Sequence, residues 1–107
     1  MDRYFVEIKT TSDDQNVLKK IAEELLRTRL AACIQIGGPI LSTYTWKGKV
    51  EQKKEWTLSA KSLSYLTQNV STLICEHHNY EEPEVISVRF EAVSDAYAIW
   101  LNESIAD

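Results

Sequence analysis

The stretch Tyr44-Thr45-Trp46-Lys47-Gly48-Lys49-Val50-Glu51 decides the fold. Aromatic and β-branched residues, which favour a pleated surface, run into Lys47-Gly48, and Val50 leads out again, so the chain doubles back as a β-hairpin. Upstream, the arm extends from Ala32 to Trp46 and carries Ile34, Ile36, Ile40, Thr43, Tyr44 and Trp46, broken by Gly37-Gly38-Pro39. A proline cannot donate to a ladder, so this long strand is expected to bend or bulge at the glycines. Downstream, the return strand runs from Val50 to Ala60 with Trp56, Leu58 and Ala60 on one face. Its outer part, Glu51-Gln52-Lys53-Lys54-Glu55, is polar and is predicted to project from the core.

A strand and a helix lie on each side of this hairpin. Tyr4 to Thr10 alternates with period two, which predicts a first strand with Tyr4, Val6 and Ile8 on its buried face. Ser12-Asp13-Asp14-Gln15 offers capping oxygens, with Gln three residues after Ser as in a capping box. Val17, Leu18, Ile21, Ala22, Leu25 and Leu26 then follow at helical spacing. After the hairpin, Ser62 is predicted to cap a second helix in which Leu63, Leu66, Val70, Leu73 and Ile74 form the apolar stripe, ending near Cys75. Glu84 to Val93 reads as a fourth strand with Ile86, Val88 and Phe90 on one face. Ser94-Asp95 opens a final helix with Tyr97, Trp100, Leu101 and Ile105 inward.

The order β-α-β-β-α-β plus a C-terminal helix is the α+β, ferredoxin-like split βαβ arrangement, an antiparallel sheet with helices on one face. The other face, with Phe5 and Tyr44 or Trp46 and an unpaired hairpin edge, would expose apolar area in a monomer. Self-association through the hairpin is the physical remedy.

Composition bounds the function. The 107 residues form one expected domain, 1–107, with 44% hydrophobic residues and a formal net charge of -4. A chain of this mass should keep about 6100 Å² exposed of roughly 17800 Å² unfolded, enough burial for a core without staples. No apolar run approaches the ~20 residues of a membrane span. Met1-Asp2-Arg3-Tyr4-Phe5 begins directly with strand-like sequence and carries no secretory pattern, so a cytoplasmic location is expected. Two cysteines, Cys33 and Cys75, make neither a disulfide framework nor a paired zinc motif. The acidic balance argues against nucleic acid. So does the third strand, Glu55-Trp56-Thr57-Leu58-Ser59-Ala60, which lacks the aromatic signature of RNA-recognition domains.

Candidate chemistry concentrates after the second helix. His77 and His78 are the two histidines, with Cys75, Tyr80, Glu81, Glu82 and Glu84 close by in sequence. Imidazole and thiolate suit copper or zinc, although adjacent histidines point apart in an extended chain and a solvated loop is the bland alternative. Tyr44, Trp46 and Trp56 could line a cleft for a small ligand with Lys61 or Lys49 as its charge, or pack across strands. Glu51, Glu55, Glu81, Glu82 and Glu84 read as a solvated acidic face. No P-loop, dinucleotide fingerprint, nucleophile elbow or zincin motif is present, so the chain is not expected to be an enzyme.

Leu30-Ala31-Ala32-Cys33-Ile34, Tyr44 to Glu51, His78-Asn79-Tyr80-Glu81-Glu82-Pro83-Glu84-Val85-Ile86 and Tyr97-Ala98-Ile99-Trp100-Leu101 together resemble the CutA divalent-cation tolerance family, in order and over nearly the whole chain. The resemblance implies a homotrimer like the nitrogen-regulatory PII proteins, with hairpin strands pairing across subunits. It also implies a non-enzymatic role in divalent-metal tolerance, copper first and zinc as alternative, with His77 and His78 as ligands; the residues nearby add Cys75 or the neighbouring carboxylates as expected helpers. Trp46, Lys61, Tyr80 and Glu84 are expected to line an intersubunit cleft that could instead take a metabolite in a signalling role, and a trimeric scaffold that presents its surface to a partner protein is the third reading. Two positions depart from the family pattern. Asn79 replaces a proline and is expected to loosen the loop. Lys9 stands where copper-binding members carry a cysteine, which removes a soft ligand and adds a repelling charge, so only weak Cu(II) binding is expected.

Overall fold

The computed structural model describes residues 4–105. The expected lead-in Met1-Asp2-Arg3 and the last two residues of the 1–107 span lie outside these. The elements are β1 (Phe5–Ser12), α1 (Gln15–Arg27), β2 (Cys33–Trp46), β3 (Lys49–Leu63), a 3-10 turn (Ser64–Leu66), α2 (Thr67–His77), β4 (Ile86–Arg89) and α3 (Asp95–Ser104). The strands form one antiparallel sheet in the order β2-β3-β1-β4. This is the expected ferredoxin-like architecture with its extra C-terminal helix.

Alternation along β1 sends Val6, Ile8, Thr10 and Ser12 to the face covered by α1 and α2. There Val6 and Ile8 join Leu18, Ile21 and Leu25 of α1, Leu58 and Ala60 of β3, and Val70 and Ile74 of α2 in the core. Tyr4 packs at its margin, before the strand starts. Leu26, assigned to the same stripe by spacing, is half exposed, because the helix turns it past the edge of the contact. A second cluster joins Leu63, Leu66 and Ile105, with Phe5 against it, and holds α3 to the end of the sheet. Two hydrogen bonds reinforce it: Arg29 Nη2 donates to the Glu103 and Ile105 carbonyls at 3.2 and 3.3 Å.

Three local expectations change. Asp14, not Ser12, caps α1 by accepting from the Asn16 N–H; Ser12 ends β1, where it is buried and takes the Asp14 N–H on its hydroxyl. Ser62 does not start a helix. It pairs with Val6 inside β3 and donates to the Leu30 carbonyl, so α2 begins only at Thr67 after the 3-10 turn. The fourth strand is four residues rather than ten, because it pairs with Val6 to Lys9 and, after the Phe90 N–H bonds the Phe5 carbonyl, β1 has no further partner to offer.

The glycine break is a bulge. Gly37 pairs with Thr57 and Ile40 with Glu55, so β2 spends one extra residue there. Since side chains alternate with period two, the insertion switches the parity of β2. Ile34 and Ile36 share the helix face with Ala60 and Leu58, whereas Ile40, Ser42, Tyr44 and Trp46 share the opposite face with Glu55, Lys53, Glu51 and Lys49. Gly38 is required: φ is +131°, and a Cβ would come 2.9 Å from Trp56 Cδ1. At the tip, Lys47 (φ 50°) and Gly48 (φ 79°) both take positive φ, the backbone of a type I′ turn. The hairpin projects and stretches the molecule to 45 × 27 × 24 Å, with a radius of gyration of 14.6 Å against about 13 Å for a compact chain of this length.

Candidate functional site

The re-aimed half of β2, the facing half of β3 and the loop after α2 enclose a groove of about 1100 Å³. Tyr44 and Trp46 stand on its β2 wall, Glu51, Lys53 and Glu55 on its β3 wall, and Tyr80, Glu81, Glu82 and Glu84 on its loop wall, with Lys9 and Thr11 of β1 at its end. Trp46, Tyr80 and Glu84 of the expected cleft therefore meet. Lys61 does not. It lies up the sheet, where its Nζ donates to Gln35 Oε1 at 2.6 Å. Trp56 is also absent, since odd and even residues of β3 part to opposite faces and Trp56 packs on the core.

The loop wall is held by a connected hydrogen-bond network. The Tyr80 N–H donates to His78 Nδ1 at 3.0 Å, which leaves the proton on Nε2, and that nitrogen donates to the Thr11 carbonyl at 2.8 Å. Asn79 accepts from Ser12 Oγ at 2.6 Å and donates to Asp13 Oδ1 at 2.8 Å. Asparagine thus ties the loop to β1 by bonds a proline could not make, and the expected loosening does not occur. The Tyr80 hydroxyl accepts from the Asp13 N–H at 2.9 Å and donates to Glu55 Oε2 at 2.7 Å. Lys53 Nζ lies 4.7 Å from the centre of the Tyr80 ring and 3.7 Å from Asp13 Oδ2. Burial and the Glu55 carboxylate push the Tyr80 phenol well above its ordinary pKa, so it stays a donor.

Glu55 is the residue that the sequence placed wrongly. Within a polar run it was expected on a projecting, solvated segment, yet it is only 7% exposed. The sequence carries no signal for this, because the burial comes from Tyr80, 25 positions away, folding over it.

The metal-ligand candidates separate. His77 ends α2 and its Nδ1 donates to the Leu73 carbonyl at 3.0 Å, leaving Nε2 as a lone pair beside a shallow depression shared with Glu24 and Glu76. His78 turns the other way and spends both ring nitrogens on the loop. Cys75 is exposed two positions before His77, and residues two apart on a helix do not share a face. Among the described residues no three His, Cys, Asp or Glu side chains gather closely enough to hold a metal ion. As a set, Cys75, His77 and His78 do not fit a chelated metal; His77 alone presents a free imidazole nitrogen.

Comparison with known proteins identifies the family and the fold. Residues 6–104 match the family model described as CutA1 divalent ion tolerance protein. The chain belongs to this family. It is 34% identical over 100 residues to the divalent-cation tolerance protein CutA of Pectobacterium atrosepticum, covering 94% of this chain and 91% of that one. It is also 34% identical to Protein CutA of Homo sapiens, of which it spans only 56%. Among solved structures, CutA1 from Oryza sativa superposes with a TM-score of 0.93 at 28% identity, covering 97% of this chain and 95% of that one. CutA from Xylella fastidiosa gives 0.91 at 31%, covering 95% and 98%. Among the described residues no helix of this CutA1-family chain is long and apolar enough to cross a membrane.

Proposed function

We propose that this chain is a non-enzymatic divalent-cation tolerance protein that works in the cytoplasm as a homotrimer and takes Cu(II) weakly, with Zn(II) as the alternative, at His77. The observation that carries the metal reading is the ring of His77. Its Nδ1 is committed to Leu73, and its Nε2 is an unshared imidazole donor of the kind that suits copper and zinc. A single imidazole with solvent ligands gives weak binding, and the loss of a soft ligand at Lys9 points the same way. His78 serves the loop and not the metal.

Trimer assembly is supported by surface left over in one chain. Ile86 is 47% and Val88 53% exposed on the face opposite α1 and α2, and the projecting hairpin offers unpaired strand edges. The accessible surface of one chain, 6848 Å², exceeds the about 6100 Å² of a compact monomer of this mass. The cytoplasmic location is supported by Cys33 and Cys75, both free thiols.

Equilibrium dialysis against Cu(II) and Zn(II) tests the metal reading. Saturable uptake of up to one ion per chain, lost in His77→Ala and retained in His78→Gln, is the expected result. Equal uptake by the native protein and His77→Ala would refute it. A second reading is favoured by the groove itself, whose size is that of a small-molecule site rather than an ion site. In it the groove, walled in the trimer by a neighbouring subunit, takes a metabolite and the protein signals its level. Thermal-shift screening separates the two, because a ligand that binds the folded state raises its melting temperature with occupancy.

A further inference from the structure

We propose that a divalent ion at His77 is also held by Glu24, so that it bridges α2 to α1, and that Arg27 competes with the ion for this carboxylate. The inference rests on the reading of His77 as the metal residue and supplies its partner from the facing helix.

The site lies in the helix layer, on the side of the sheet away from Ile86 and Val88, and neither the exposed sheet face nor the hairpin enters it. Glu24 and Arg27 of α1 face Leu73, Glu76 and His77 of α2 across a depression of about 360 Å³. The bond from His77 Nδ1 to the Leu73 carbonyl, 3.0 Å, fixes the ring on the last turn of α2 and leaves Nε2 to accept an ion. On the opposite wall the Glu24 side chain is 19% exposed, whereas that of Arg27 is 69% exposed. The carboxylate therefore sits in the depression, and the guanidinium closes on it from the solvent side. Arg27 Nε donates to Glu24 Oε2 at 2.6 Å, which occupies one carboxylate oxygen of two. That bond holds the Glu24 carboxyl below its ordinary pKa, and the charges of Lys20 and His77 act in the same direction, so the carboxylate is ionised and within electrostatic reach of the imidazole.

Imidazole nitrogen and carboxylate oxygen are both ordinary ligands of Zn(II) and Cu(II). Glu76 is nearer to His77 in sequence, but consecutive residues of a helix do not face each other, so the second ligand has to come from α1. Among the described residues no three ligating side chains gather, and water must complete the coordination, which keeps binding weak. The free carbonyls in the last turn of α2 add partial negative charge on the same side. Arg27 acts against the ion, because its guanidinium neutralises the carboxylate and repels a cation placed beside it. An ion pair this exposed is weak, so a divalent ion can displace it.

Zn(II) titration of the intact protein followed by NMR, with equilibrium dialysis against Zn(II) and Cu(II) alongside, tests the proposal. The Arg27 Nε–H signal should shift with the same saturation curve as the His77 ring, as Glu24 exchanges the guanidinium for the ion. Glu24→Gln should weaken uptake several-fold and Arg27→Gln should tighten it several-fold. Glu23→Gln, the same charge change at an exposed position of α1 outside the depression, should leave uptake unchanged. An Arg27 signal that stays fixed while the His77 ring saturates would overturn the bridge, as would native uptake by Glu24→Gln. Equal weakening by Glu76→Gln would overturn it too, since it would mark general attraction to acidic charge. Weaker uptake by Arg27→Gln would overturn the competition. If His77→Ala binds as well as the native protein, the reading of His77 fails and takes the bridge with it; if uptake needs His77 but not Glu24, the bridge alone fails.

Discussion

Tyr80 carries more of the site than any neighbour, because its hydroxyl joins the Asp13 N–H to the Glu55 carboxylate. Tyr80→Phe removes the hydrogen bond that the phenol donates to the buried Glu55 carboxylate, and is predicted to cost about 1–3 kcal/mol in urea unfolding. An unchanged unfolding midpoint would show that water replaces the phenol without loss. His78 gives the pH dependence. Burial lowers its pKa below the ordinary value, offset in part by the Thr11 carbonyl and the charges of Asp13 and Glu55. Between the folded value and about 6.5 the unfolded chain binds a proton that the folded one refuses, so stability rises with pH in that window. The contribution is complete above about pH 6.5 and is lost as pH falls through the folded value. Urea midpoints measured between pH 5 and 7.5 should show this slope, and His78→Gln should flatten it. Asn79 marks the limit of reading one residue at a time. Compared with a proline it promises freedom, and only the fold puts Ser12 and Asp13 within its reach.

The elements were legible where periodicity was strong. The alternation of β1, the apolar stripe of α1 and the Lys47-Gly48 turn each fixed a segment that exists within a residue or two of its expected limits. Legibility failed where tertiary pairing overrode local signals. Ser62 has the chemistry of a cap, yet Val6 beside it and Leu30 above it make it a strand residue. The parity switch of β2 was half visible: Gly37-Gly38-Pro39 announced an irregularity, but whether it added one residue or none depends on the partner strand, and that decides which face receives Tyr44 and Trp46. Gly38→Ala should therefore destabilise by about 1–3 kcal/mol, through both positive φ and the contact with Trp56. Thermal unfolding measures it, and a neutral effect would mean the bulge can re-form elsewhere. At the other end, Arg29 clamps the Glu103 carbonyl of α3 and the Ile105 carbonyl just past it. Arg29→Ala is predicted to speed amide exchange across Asp95–Ser104 by several-fold while leaving β1 and β3 protected. Uniform exchange would assign the docking of α3 to Ile105 and Leu101 alone.

At the scale of the molecule, the metal candidates of the sequence are adjacent in the chain and divergent in space, since a helix end sends His77 back along α2 and His78 forward to β1. Membership of the divalent-ion tolerance family rests on the match over residues 6–104 and on the curated relatives. The proposed copper site rests on a free imidazole nitrogen, and the proposed trimer on a sheet face and hairpin that one chain leaves uncovered. Native mass spectrometry at micromolar concentration, with and without Cu(II), tests both at once. The account predicts an assembly of three times the 12.3 kDa chain mass that gains up to three weakly held copper ions, a gain absent from His77→Ala. A chain that stays monomeric at that concentration, or a trimer that retains copper equally well without His77, would contradict it.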